Sequence, residues 1–93
     1  MPVLNKSDIH RALKNVSGWT EKNKEIRKDF EFPDFIRAIA FVNSIALLAE
    51  RVNHHPDIDI RWNRVTLTLS THSEGGLTVK DFDLARKIES LLK

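Results

Sequence analysis

Cysteine is absent from the 93 residues, which excludes a disulfide framework and any thiolate nucleophile. Long hydrophobic runs are missing as well. The longest nearly apolar stretch, Ala38 to Ala49, is broken by Asn43 and Ser44 and falls short of the roughly 20 residues a membrane-spanning helix needs. The amino terminus carries no extended apolar segment of the signal-peptide type, so a soluble, cytoplasmic protein is the expectation. Nor does one charge dominate: 15 basic and 13 acidic side chains leave a net +2. In the most basic stretch, Lys22, Lys24, Arg27 and Lys28 are interleaved with Glu21, Glu25 and Asp29, which breaks the positive field and disfavours nucleic acid as a partner. Repeats, linkers and low-complexity segments are lacking. What remains is a chain with 41% apolar residues, enough for one domain over residues 1–93 built on one modest core.

The apolar periodicity divides that domain into seven elements. Ser7 is placed to cap a first helix running to about Asn15, with Ile9, Leu13 and Val16 as its stripe and Gly18 as its end. Ile26, Lys28, Phe30 and Phe32 share one parity, which predicts a hairpin turning near Asn23. Pro33 stops the second strand, and Asp34 caps a long helix to about Arg51. In that helix Phe35, Ala38, Ile39, Val42, Ala46 and Ala49 are expected on the core face. Ile36, Phe41, Ile45 and Leu48 widen the apolar surface beyond what one small sheet requires, which points to oligomerisation. After Pro56, Ile58, Ile60 and Trp62 alternate with Asp57, Asp59 and Arg61, as in a strand with one wet face. A tight connection at Asn63-Arg64 then leads to a strand in which Val65, Leu67 and Leu69 alternate with Thr66, Thr68 and Ser70. Glu74-Gly75-Gly76 is a flexible link, and Thr78-x-x-Asp81 reads as a capping box for a final helix from about Val79. The order α-β-β-α-β-β-α predicts an α+β two-layer sandwich, a four-stranded, largely antiparallel sheet with helices on one face.

Three of the four histidines gather around one helix end and one hairpin: His54 and His55 in Glu50-Arg51-Val52-Asn53-His54-His55-Pro56, and His72 in Ser70-Thr71-His72. Imidazole is the side chain best suited to moving protons near neutral pH. A helix end followed by proline can direct adjacent side chains into one cleft, although a polar C-terminus favoured by the helix dipole would carry the same residues. His72 alone fits a surface position at a strand end. Glu50, one turn before His54, could accept its proton and fix its tautomer, or be a solvated helix carboxylate. Three histidines plus water would suit zinc, but two adjacent residues rarely converge on one ion, and a metal is not expected. Trp62 could wall a planar ligand or belong to the core, and Asp81 fits a cap better than a proton-transfer group.

Taken together, these residues resemble the signature of the pterin-4a-carbinolamine dehydratase family. That signature has an acidic residue, three intervening residues, His-His-Pro, an aromatic residue in the next strand, Thr-His, and Gly-Leu-(Ser/Thr)-x-x-Asp. Here the positions read Glu50, His54-His55-Pro56, Trp62, Thr71-His72, and Gly76-Leu77-Thr78 followed by Asp81. The resemblance extends to Gly18-Trp19, Phe30-x-Phe32 and Asn63. Trp62 stands where many relatives have tyrosine, and Glu74-Gly75 form a glycine-rich variant of the loop.

The resemblance implies dehydration of a 4a-hydroxytetrahydropterin to a quinonoid dihydropterin by histidine acid-base catalysis, with no redox cofactor or metal. His54 and His72 are the implied acid-base pair, and His55 positions the pterin with a possible share in proton transfer. Glu50 and Asp81 act in support, Glu50 orienting His54 or restraining the helix end. Pterin recognition falls to the Asp57 to Arg61 strand, including Asp57 and Asp59, to Ser70 and Thr71, and to Trp62. A homodimer or a tetramer built as a dimer of dimers is implied too. Some relatives are dimerisation partners of a homeodomain transcription factor, so a non-catalytic pterin-binding or protein-binding regulator is the alternative.

Overall fold

The structure, a computed structural model, describes residues 2–93. Its elements are α1 (Lys6–Leu13), β1 (Thr20–Lys22), β2 (Glu25–Glu31), α2 (Phe35–Val52), β3 (Asp57–Arg61), β4 (Arg64–Leu69), a single 3-10 turn at His72–Glu74, and α3 (Val79–Ser90). The four strands form one antiparallel sheet in the order β1-β2-β4-β3, with the helices on one face. The predicted element order and the α+β sandwich are therefore those of the molecule. Among the described residues no helix is long and apolar enough to cross a membrane.

Strand parity sorts the sheet. Ile26 and Phe30 on β2, and Val65, Leu67 and Leu69 on β4, face the helices and are buried with Ala38, Phe41 and Ile45 of α2 and Phe82, Leu84, Ala85 and Ile88 of α3. Burying each such aliphatic or aromatic side chain contributes about 1.5–3 kcal/mol. The opposite parity, including Arg27, Asp29, Glu31, Arg64 and Thr66, forms the open face, where Thr66 Oγ1 donates to Asp29 and Arg64 lies between Asp29 and Glu31.

Several local expectations need correction. The cap of α1 is Asn5, whose Oδ1 accepts from Asp8 N–H at 2.8 Å, while Ser7 lies inside the helix. The core stripe of α2 is Ala38, Phe41, Ile45 and Ala49, flanked by partly buried Val42, Leu48 and Val52. Phe35 and Ala46, expected inside, are exposed, and Phe41 and Ile45, expected outside, are buried. This helix is apolar around most of its circumference, so periodicity alone does not select a face. The Phe41 ring decides it by packing 4.9 Å from the centroids of both Phe30 and Phe32.

The second hairpin turns at Trp62-Asn63, one residue earlier than the spacing predicts, with Arg61 opposite Arg64. Trp62 takes a positive φ of 52° at the tip and is 70% exposed, so it belongs neither to the strand nor to the core. Asn63 fixes the turn: its carbonyl accepts from Phe32 N–H at 2.9 Å, and its Nδ2 donates to Phe32 O at 2.8 Å. Strand β3 is exposed along its whole length, because Ile58 and Ile60, although opposite Leu67 and Val65, lie at the sheet edge. Lys28 is not a solvated cation. It points to the helix side, where its Nζ donates to both oxygens of Glu89 and to Ser17 O, and Trp19 Nε1–H donates to Glu89 at 2.9 Å.

Candidate active site

The geometry begins with how α2 ends. Asn53 adopts the left-handed conformation (φ 53°, ψ 46°), and His54 N–H reaches back to Ala49 O at 3.1 Å. Asparagine tolerates this conformation better than most side chains, and the reversal satisfies helix carbonyls that would otherwise be orphaned. The turn throws His54 sideways towards α3 instead of continuing the helical stack. Pro56 holds His55 in an extended approach, so the two adjacent imidazoles diverge.

His54 meets Asp81. The His54 Nε2 to Asp81 Oδ1 distance is 2.6 Å, and the Asp81 side chain is 0% exposed. An ionised carboxylate can only accept, so His54 donates from Nε2–H, and Nδ1 is left as the ring nitrogen with a free lone pair when the imidazole is neutral. Asp81 Oδ2 accepts from Thr71 Oγ1–H at 2.8 Å and from Thr78 N–H at 3.0 Å. Because the Thr71 hydroxyl proton is committed to Asp81, the 2.9 Å contact between the two threonine hydroxyls is a donation from Thr78 to Thr71. The capping box at Thr78 and Asp81 is present as expected. One carboxylate thus caps α3, holds His54, and ties down the residue immediately before His72.

Glu50 does not reach His54. Its Oε2 lies 2.6 Å from His55 Nε2 on the exposed side of α2, so the expected partnership is corrected from His54 to His55. The i, i+4 rule for an unbroken helix pointed to His54, but the left-handed Asn53 removes that residue from the helical register.

His72 opens the 3-10 turn and is exposed, beyond the last residue of β4 rather than on it. Its loop is closed by the Thr71–Gly76 bridge, with Glu74 N–H on Thr71 O at 2.9 Å and Gly75, at φ 80°, donating to His72 O at 3.1 Å. Ser70 Oγ donates to Lys24 O at 2.8 Å and so joins this loop to the first hairpin, whose two turn residues Asn23 and Lys24 both have positive φ. That connection brings Glu25 to His72. Ligand atoms of Glu25, Asp57 and His72 all lie within 4.8 Å of one another. In the sequence nothing distinguishes Glu25 but its place after a two-residue turn.

The candidate residues therefore form a chain, not a ring. His54, Asp81 and Thr71 are joined by hydrogen bonds, and His72 follows Thr71 covalently and faces Asp57. Asp59 turns instead to Arg61, 3.4 Å away on the exposed edge strand. Beside His54 is a cavity of about 100 Å³, lined also by Val52, Lys80, Asp83, Leu84 and Lys87. It is well below the roughly 300 Å³ of an ordinary ligand pocket.

Comparison with known proteins decides the family. The profile of the pterin 4 alpha carbinolamine dehydratases matches residues 2–91. The chain belongs to this family. A relative from Roseiflexus castenholzii is 56% identical over 90 residues, covering 97% of each chain, and one from Sulfolobus acidocaldarius is 44% identical over 88 residues, covering 95% of this chain and 97% of the other. Both are provisionally named pterin-4-alpha-carbinolamine dehydratase. Among solved structures, that of a transcriptional coactivator/pterin dehydratase from Brucella melitensis superposes with a TM-score of 0.94 at 38% identity, covering 98% of this chain and 99% of that one. Membership of the dehydratase family and the shared fold support a pterin carbinolamine dehydratase, a lyase, as the general class of activity.

Proposed function

We propose that residues 1–93 form one catalytic domain that dehydrates 4a-hydroxytetrahydropterins, 4a-hydroxytetrahydrobiopterin among them, within tetrahydrobiopterin metabolism in the cytoplasm. The observation that carries this reading is the buried Asp81, which orients His54 through one oxygen and anchors the residue before His72 through the other. The reaction is redox-neutral. The N5 proton is removed, a C4a–N5 double bond forms as the C4a–O bond breaks, and the departing hydroxide takes a proton to leave as water.

Two imidazoles can perform both transfers near neutral pH. His54, with Nε2–H given to Asp81, offers Nδ1 as the proton acceptor. His72, exposed and flanked by Asp57, suits the donor to the departing hydroxyl. His55, held by Glu50, positions the pterin, with backbone groups of β3 and of Ser70 and Thr71 reading the edges of the bicycle and Trp62 offering a face for it to stack on. Asp59 lies on the same strand but is turned to Arg61, so its contribution is confined to the rim. The small cavity beside His54 cannot hold a pterin within one chain, which favours binding across the open end of the sheet.

A homodimer or homotetramer is part of this reading. Ile36 and Leu47 on the outer side of α2 are 78% and 71% exposed, and Phe35 is half exposed beside them. Large apolar side chains grouped in this way mark interaction surfaces. The same surface supports a second role, as a protein-binding regulator, in keeping with the coactivator part of the Brucella protein's description.

The decisive test is stopped-flow ultraviolet detection of 4a-hydroxytetrahydropterin dehydration by the wild type and by His72→Ala at matched oligomeric state. A large acceleration that falls by roughly two orders of magnitude or more in the variant is expected if His72 transfers a proton. Background rates for both proteins would remove the enzyme reading and leave the regulatory one. Fast and equal rates would keep the enzyme and remove His72 from the chemical step.

A further inference from the structure

We propose that Glu25, Asp57 and His72 form a three-ligand site for a borderline divalent cation such as Zn²⁺, and that its occupancy switches the dehydratase off by taking the lone pair of His72. The inhibitory half of this inference rests on the dehydratase reading above, and the metal site itself does not.

The three side chains come from separate elements, β2, β3 and the 3-10 turn, so their convergence is a product of the fold. They offer two carboxylates and one imidazole, a mixed oxygen and nitrogen set suited to zinc and its first-row neighbours. Most other carboxylates on the surface have a partner: Asp8 is paired with Arg11, Asp29 and Glu31 with Arg64, Asp59 with Arg61, Asp83 with Arg86 and Glu50 with His55. The side chains of Glu25, Asp57 and His72 have no hydrogen bond or ion pair among the described residues. Two carboxylates and an imidazole thus lie close together without an ion-pair partner among the described residues.

The spacing allows coordination. Ligand atoms within 4.8 Å of one another need to close to about 3.4 Å to sit around a zinc ion at bond lengths of about 2.0–2.2 Å. Asp57 and His72 are exposed and Glu25 is partly so, which leaves their side chains free to rotate by that amount. Three protein ligands leave a fourth position for water. Coordination occupies the nitrogen on which His72 has to carry the proton it gives to the departing hydroxyl, and the metal would stand where the pterin has to approach.

The test is calorimetric titration of the full chain with Zn²⁺ alone, run in parallel with zinc inhibition of dehydration, for the wild type and for Glu25→Gln. Because Glu25 lies beside His72, zinc inhibition of each protein is read as a fraction of its own metal-free rate. The expected result is one zinc per chain, with affinity and inhibition both weakened by at least roughly tenfold in Glu25→Gln, a loss of the size that changes around metal ligands produce. Asp57→Asn gives a second reading of affinity should Glu25→Gln fail to fold. Absence of zinc binding, or an affinity unchanged in a folded variant, would overturn the site, and full activity with zinc bound at that site would overturn the switch. If the wild type binds zinc as expected but never dehydrates the pterin, the dehydratase reading fails and the metal site stands.

Discussion

Asp81 on α3 holds His54 at the end of α2 through a 2.6 Å contact made by a carboxylate with no solvent exposure. The same carboxylate takes the Thr71 hydroxyl and the Thr78 amide, so the end of one helix, the start of another and the loop before His72 share a single anchor. Replacing one oxygen by an amide separates these duties. Asp81→Asn can keep an acceptor for the cap, but its NH₂ cannot receive the His54 proton, and the imidazole loses its fixed tautomer. Dehydration is expected to fall by roughly one to two orders of magnitude, with a stability loss of about 1–3 kcal/mol for the disturbed buried network. Stopped-flow rates and denaturant melts read the two effects. A large stability loss with an unchanged rate per folded molecule would make Asp81 a cap alone.

Glu50 presents the opposite case. Its contact with His55 is as short, yet both side chains are exposed, and solvent screening leaves such a pair worth about 0–1 kcal/mol. Glu50→Gln is therefore expected to leave the melting transition almost unmoved while raising KM through loss of His55 orientation. A clear drop in stability would show that the pair restrains the helix end instead.

How far the sequence revealed these arrangements depends on whether the determining contact is local. The first hairpin was legible because asparagine at position 23 suits a positive φ and the strand parity beyond it is clean. The capping box at Thr78 was legible because its two partners are three residues apart. The second hairpin was misplaced because tryptophan is no turn residue and the alternation Ile58, Ile60, Trp62 runs straight into the tip. The buried face of α2 was hidden by a helix apolar nearly all round, settled only by Phe30 and Phe32 across the interface. The three candidate histidines could be read off directly, but their partners could not. Asp81 is 27 residues from His54, and Glu25 comes from another hairpin altogether.

The Lys28, Glu89 and Trp19 cluster is a structural network at the far end of α3. Lys28 Nζ also stands 5.0 Å from the Phe30 ring centroid, and both charged side chains are largely shielded from water. Glu89→Ala would leave Lys28 with the Ser17 carbonyl but no counter-charge and the Trp19 indole N–H with no acceptor, at an expected cost of about 2–4 kcal/mol. Urea unfolding checks the magnitude. The rate per folded molecule should not change, since none of the three side chains contacts the histidine network, and a selective loss of rate would contradict this assignment.

Trp62 combines a strained backbone with an exposed ring, and the two features pull in different directions. A bulky residue at φ 52° is disfavoured by sterics, while glycine adopts that conformation freely. The turn itself is secured by Asn63 through its two bonds to Phe32, so the indole is not needed to hold the hairpin. Trp62→Gly is expected to keep or raise the stability of the isolated chain, by up to about 1 kcal/mol after the greater freedom of glycine in the unfolded state is offset. If the ring is retained for stacking on the pterin, the same variant should raise KM severalfold with little change in kcat. Thermal melts together with steady-state kinetics separate the alternatives. A variant that melts much earlier would place the indole in a structural contact, and one with wild-type kinetics would remove Trp62 from the substrate's surroundings.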